Sequence, residues 1–385
     1  MRPRRRRWIL RIGAVVVAGL ACNLGGTPSA LPTPSTSGPA GAATPMAPTP
    51  VTPPEQPLIV THLDPEFRIY TLDGDLVETR SAEGLSFSRP NTAQVVGDAV
   101  YYVAGGGVEP GEVVRRVTSS ESVDLAFTRS SEPTGLAFRV SQDGSHIAYS
   151  QTNWGGGPPF SQVWIAGVDG SDPTLVTQTD TQDDIPEYFV LEPVEWLDDG
   201  DLVFAWQVTG IGGYILFFGW SGLYRYDIGV GAVTPVAAVD AEFPSPCWSD
   251  VNGDGTFAVG ACSSPAQLVE RSTATGSENL IPLLPEQGQA GAAAYAPSGE
   301  RFAYAIARSD PDAEAGQLVL LPARGEGPAV IATHAPGAFD AILWLDEDRM
   351  AVGYWQGDAT FVDLVTTVGA RTPLGQGSLI GLMQP

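Results

Sequence analysis

Lysine is absent from this sequence: all 20 basic residues are arginine, set against 44 aspartates and glutamates, for a formal charge of −24. Even that figure understates the acidity. Arg2, Arg4, Arg5, Arg6, Arg7 and Arg11 crowd the N-terminus, and the rest of the chain carries about −30. Such a surface repels nucleic-acid phosphate and anionic lipid headgroups, so neither is expected as a partner of the folded part. Histidine is scarce as well. His62, His146 and His334 stand far apart with no second ligand at useful spacing, which argues against a histidine metal centre and for structural roles. A Gly-x-Ser-x-Gly elbow, a His-Glu-x-x-His helix and a phosphate loop are also missing, and the triple glycines at 105–107 and 155–157 lack the strand-to-helix setting of a nucleotide site. These absences leave no catalytic residue to nominate and point away from an enzyme.

Long apolar runs are missing too. The run Ile12 to Ala21 is too short to cross a membrane as an ordinary helix. Behind an arginine-rich start, and ending in Gly19-Leu20-Ala21, it reads as an export signal over residues 1–21. Ala21-Cys22 resembles the cleavage point of bacterial lipoproteins. That implies a lipid on Cys22, attachment to a bacterial membrane through that lipid alone, and a periplasmic or cell-surface location. The small residues at 19 and 21 also suit a plain secretory peptidase, which would release the protein. Residues 22–56 are mostly Pro, Thr, Ser, Ala and Gly with one acid, Glu55; such a segment cannot pack a core and reads as a disordered tether.

From 57 to 385 the chain repeats itself. The clearest copy is GLAFRVSQDGSHIAYS followed by SQVWIAGVDGSDPTLVT between Gly135 and Thr177: four short apolar runs with turns at Asp143-Gly144 and Asp169-Gly170. Asp-Gly between such runs suits a two-residue hairpin, since glycine reaches the positive φ that the turn requires. One four-stranded sheet cannot cover its own faces, so copies are required. Turns recur at Gly200, Gly255 and Gly299, and seven units follow one another. The first, from Leu58 to Arg80, has three strands only, whereas Ser378 to Gln384 is a strand-like run with no unit of its own. Pairing the two closes a ring without an unpaired inner edge. The expectation is an all-β, seven-bladed β-propeller of four-stranded antiparallel blades, closed by its C-terminal strand, and monomeric; six blades result if unit two or five is incomplete.

SQDGSHIAYS with QVWIAGVDG, echoed by APSGERFAYA and WLDDGDLVFAW, resembles the WD40-like repeat of the periplasmic TolB-type propellers. Gln142 and Asp198 stand where that repeat has proline, and Pro297 agrees with it. The resemblance implies the fold, and function only loosely, because such repeats serve binding proteins, exported sensors and the non-catalytic domains of peptidases.

In propellers the loops joining second to third strands share one face with those joining blade to blade, and here the long loops fall on that face. Any binding surface is expected there, with Trp154, Tyr188, Tyr214, Phe217, Phe218 and Trp220 as its apolar part and Asp183 and Asp184 among its acids. Its partner would be a protein, peptide or glycan of the cell envelope. The run Tyr214 to Trp220 could instead prolong strands of blade four and pack inward. As an alternative function, Asp183, Asp184 and neighbouring acids would serve a hydrolase or lyase acting on an extracellular polymer. No cofactor is called for. Asp250, Asn252 and Asp254 alternate as calcium-loop ligands do, which would suit calcium-dependent adhesion, but Ala258 and Ala261 stand where a closing acid is needed, and a metal-free turn is the simpler reading. Cys247 and Cys262 flank that turn symmetrically and are expected to form a disulfide, unless a bulge spoils their register.

Overall fold

The computed structural model describes residues 56–86, 92–105, 111–130, 135–153, 160–180, 189–208, 219–237, 248–261, 268–281, 289–307, 316–321, 324, 326–334 and 337–384. Three strands open the described chain: β1 (Leu58–Leu63), β2 (Glu66–Tyr70) and β3 (Leu76–Ser81). Blade two is β4 (Ala93–Val96), β5 (Ala99–Gly105), β6 (Glu112–Val117) and β7 (Ser122–Ser130). Blade three is β8 (Phe138–Val140), β9 (His146–Asn153), β10 (Phe160–Gly167) and β11 (Thr174–Asp180). Blade four is β12 (Phe189–Trp196), β13 (Leu202–Val208), β14 (Gly222–Asp227) and β15 (Ala232–Ala237). Blade five is β16 (Trp248–Val251), β17 (Phe257–Ala261), β18 (Leu268–Ser272) and β19 (Glu278–Ile281). Blade six is β20 (Gln289–Tyr295), β21 (Phe302–Ala307), β22 (Gly316–Leu321) and β23 (Ala329–His334). Blade seven is β24 (Ala338–Trp344), β25 (Arg349–Gln356), β26 (Ala359–Thr366) and β27 (Arg371–Gln376), and the last strand is β28 (Ser378–Met383).

That last strand completes blade one. β28 pairs antiparallel with β1, giving the order β28-β1-β2-β3, as the surplus C-terminal run requires. Units two and five are full four-stranded sheets, so the blades number seven and the six-blade alternative falls away.

Seven apolar clusters sit at the seven junctions between neighbouring blades. One, holding Val60, Phe67, Val100 and Tyr102, joins blades one and two; another, holding Ile59, Ala351 and Val362, joins blade seven back to blade one. Position within a blade therefore dictates composition. Second strands lie between two neighbours and are apolar on both faces, as β5 (AVYYVAG) and β21 (FAYAIA) are, because neither face meets water. Each wholly buried Phe or Ile there contributes roughly 1.5–3 kcal/mol relative to exposure. Outermost strands such as β3 and β15 are mainly exposed.

Innermost strands of neighbouring blades do not share a ladder, so their backbone groups need other partners. Polar side chains supply them. Gln94 accepts from the Val140 amide (2.8 Å) and donates to its carbonyl (3.0 Å), linking blades two and three. Arg139 Nε donates to Val194 O at 2.8 Å, Trp196 Nε1 to Arg139 O at 3.0 Å, and Trp344 Nε1 to Ala294 O at 2.9 Å.

The hairpin turns differ from the expected two-residue form. Gly144 N donates to Ser141 O, and the same bond recurs from Gly200 to Leu197, Gly255 to Asn252 and Gly299 to Ala296. Asp143 is therefore central in a four-residue turn, and the glycine follows in the left-handed region, at φ 69° for Gly144. The glycine's freedom is used one place later than the Asp-Gly pair suggests.

Candidate functional site

Strands alternate in direction through each blade, so the connections from second to third strands and from blade to blade meet at one rim. The first-to-second and third-to-fourth turns meet at the other. Of the residues named from the sequence for the first rim, Trp154, Asp183, Asp184, Tyr188, Tyr214, Phe217 and Phe218 lie outside the described residues, as do Cys22, Cys247 and Cys262. Trp220 is described, and it is not on an open face. It is 9% exposed, exchanges backbone hydrogen bonds with Trp248 (2.8 and 3.0 Å) and packs with Leu223, Ala258 and Val269 between blades four and five. Beside the two cysteines the ladder shifts register by one between Trp248 and Asp250.

The oxygens of the calcium-like stretch are occupied by the turn itself. Asn252 Oδ1 accepts from Phe257 N (2.8 Å), and Asp254 Oδ1 accepts from Thr256 N (2.9 Å) and Oγ1 (2.6 Å). Asp250 leans the other way and accepts Tyr295 N of blade six through Oδ2 at 2.7 Å.

Asp250 belongs to a set of carboxyls on innermost strands. Burial pushes it up to about 7, with the like charge of Glu195 adding to the effect. Glu195, on β12, is itself raised by burial and pulled back by Arg139. Asp340, on β24, keeps solvent-accessible surface while protein closes around it, and burial pushes it up to about 6. The sequence gives no sign of Glu195 and Asp250: single acids in short apolar strands look like any outward-facing residue until the neighbouring blades close on them.

At the turn rim two adjoining clefts lie between blades three and four, of about 550 and 390 Å³. His146 and Ile228 wall both. Asp143 is drawn down to about 2 by hydrogen bonds from Ser141 and Ser145. Ser145 Oγ lies 2.7–2.8 Å from both Asp143 oxygens and 2.7 Å from His146 Nδ1. Ser145 Oγ gives its single proton to the ionised carboxylate and so accepts from His146 Nδ1–H. This is a turn clamp and not a nucleophile relay, because the acid grips the serine and not the imidazole. Asp199 and Asp201 hold Arg225, the latter at 2.7 Å from Nε.

No family model matches the chain, and no curated protein matches it. Solved structures do. TolB from Acinetobacter baumannii aligns at 10% identity over 83% of this chain and 77% of that one, with a TM-score of 0.45. The β-propeller domain of the trilobed protease from Pyrococcus furiosus aligns at 14% identity over 74% of this chain and 84% of that one, with a TM-score of 0.48. An oligogalacturonate lyase solved in complex with manganese aligns at 11% identity over 82% of each chain, with a TM-score of 0.50. At these identities the likeness is one of fold: the chain is a seven-bladed β-propeller whose structural neighbours include TolB.

Proposed function

We propose that this chain is an exported, lipid-anchored propeller that holds a protein, peptide or glycan of the cell envelope at the rim carrying its long connections. One observation supports this above others. Several connections at that rim are long, as at 209–221 and 238–247, whereas the opposite rim has tight turns such as 97–98 and 197–201. Elaborate connections on a rigid ring are where binding residues are usually carried.

The anchor is tested by the mass of the mature N-terminus and by Cys22→Ala, which is expected to move the protein from the membrane to the soluble fraction. Binding is tested with a photo-crosslinking residue at position 183 or 217 in the native envelope. A discrete adduct is expected from these positions and none from position 326 on the opposite rim; equal labelling from both rims, or none, would remove the reading.

The enzymatic alternative has one observation in its favour, the raised carboxyls of Glu195 and Asp250. Both are engaged, Glu195 with Arg139 and Asp250 with the Tyr295 amide, which speaks for a structural role. Turnover of an acidic or neutral polysaccharide by the intact protein, lost in Glu195→Gln and Asp250→Asn alike, would reverse that preference.

A further inference from the structure

Most ion pairs among the described residues stay within a blade. Arg115 with Asp124, Arg271 with Glu278 and Arg371 with Asp363 each join neighbouring strands of one sheet. Arg324 does not. It stands in the third-to-fourth turn of blade six, between β22 and β23, and its Nε donates to Glu270 Oε1 of blade five at 2.9 Å. Arg301 of blade six also crosses a seam, to Glu347 of blade seven, but that carboxylate is 41% exposed whereas the Glu270 side chain is 2% exposed. A carboxylate so enclosed needs a counter-charge, because little water is left to solvate it.

The counter-charge is held by a receptor built from other parts of the ring. The Arg324 guanidinium carbon lies 3.7 Å from the Phe257 ring centroid, and Nη2 donates to the Gly299 carbonyl at 2.8 Å. The Tyr295 hydroxyl donates to the same Glu270 Oε1 at 3.2 Å, and burial and the charge of Glu270 push that hydroxyl up, so it stays a donor. Phe257 opens β17, Glu270 lies on β18, Tyr295 ends β20 and Gly299 follows in the first-to-second turn of blade six; none belongs to the turn that carries Arg324. An aromatic face, an enclosed carboxylate and a carbonyl together fit a flat fork of N–H donors and suit a compact ammonium poorly.

We propose that Phe257, Glu270, Tyr295 and the Gly299 carbonyl form a guanidinium-binding site at the seam between blades five and six, filled here by Arg324 and open, once Arg324 withdraws, to a guanidinium group from outside. The group is recognised by the strands and not by the turn, so the occupant can be exchanged without dismantling the receptor. The Arg324 side chain is 35% exposed, which gives an incoming group a route from solvent. Exchange frees the blade-six turn while Glu270 stays neutralised. The inference is independent of the partner proposed for the long connections, because it concerns the opposite rim.

The test is to empty the site and refill it. Arg324→Gly in the mature full-length protein is expected to lower the thermal midpoint on the order of 5 °C or more, since Glu270 loses its counter-charge. Ethylguanidinium chloride up to about 20 mM at constant ionic strength should then raise that midpoint saturably, on the order of 3 °C, and ethylammonium should recover less than about half as much. The parent, its site already filled, should shift by less than about 1 °C over the same range. Acetyl-Gly-Arg-Gly-amide in the same titration distinguishes the source of the group: recovery with it marks an arginine side chain as an occupant, recovery with ethylguanidinium alone marks a free guanidinium compound, and either upholds the site. Should Arg324→Gly be unfolded on its own, a cooperative melt that appears only with ethylguanidinium is the same result. Glu270→Gln in the Arg324→Gly background removes the enclosed charge, so the double variant should melt higher than Arg324→Gly and lose the response. A parent that responds as strongly as Arg324→Gly, equal recovery by ethylammonium, recovery that survives Glu270→Gln, or no saturable recovery at all would each overturn the proposal.

Discussion

Replacing Asp250 by asparagine is expected to stabilise the propeller at alkaline pH and to do little at acid pH. The carboxyl sits on β16, accepts the Tyr295 amide at 2.7 Å and faces the like charge of Glu195, and burial lifts it from 3.8 to about 7. Well below pH 3.8 it is neutral in the folded and unfolded chains alike. Between pH 4 and 7 the unfolded chain releases its proton while the folded one keeps it, so the carboxyl's contribution to stability is lost as pH rises and stays lost above 7. At 1.36 kcal/mol per pH unit, the interval from 3.8 to about 7 corresponds to an upper bound of roughly 4 kcal/mol. Because Asp250 is only partly buried, solvent screening reduces that to about 2–3 kcal/mol. Asparagine retains an oxygen for the Tyr295 amide and does not titrate. Urea unfolding of parent and variant at pH 4.5, 6.5 and 8.5 measures the difference, and comparing the two proteins cancels the effect of the other acids. A stability gap constant to within about 0.5 kcal/mol over that range would refute the reasoning, because it would mean that Asp250 ionises as in a free peptide.

Four further outcomes follow from the same contacts. Ending the chain after Gly377 strips β1 of its inner partner and uncovers Ile59 and Val60, so the thermal midpoint should fall on the order of 10 °C or more; a truncated protein melting as high and as sharply as the parent would argue against ring closure. Gly369 and Gly357 are both left-handed, at φ 85° and 59°, but a Cβ on Gly369 would run into the Ile331 carbonyl whereas one on Gly357 meets nothing. Gly369→Ala should therefore cost at least about 2 kcal/mol by chemical denaturation and Gly357→Ala about 1, and equal costs would show that backbone strain alone matters. Arg139→Met leaves Glu195 without its counter-charge and Val194 O without its donor, for an expected loss of about 3–5 kcal/mol, part of which Glu195→Gln should restore in the double variant. Alkylation of the unfolded protein before and after reduction, followed by mass measurement, decides whether Cys247 and Cys262 are joined; two thiols reactive before reduction would rule the bridge out.

Much of the architecture is written locally. The pairs Asp143-Gly144 and Asp254-Gly255, the all-apolar second strands and the three-stranded first unit answered by Ser378–Gln384 are enough for a closed seven-bladed ring, because turn chemistry and strand periodicity act over a few residues. Their detail was less legible: Asp-Gly alone does not say whether the glycine is third or fourth in the turn, and the backbone bonds from Gly144 and Gly255 decide it. Trp220 shows the same limit. An aromatic run between strands reads equally as a binding loop or as core, and only the neighbouring blade, by offering Trp248, buries it.

What the sequence determined alone is the repeat, its closure, the acidity and the absence of lysine, each a property of composition or of short-range pattern. Which acids matter was decided in three dimensions. Asp250 and Tyr295 are 45 residues apart and meet only because blades five and six are neighbours. A carboxylate's energy depends on how much water the surrounding protein leaves it, and that surrounding is assembled from distant parts of the chain.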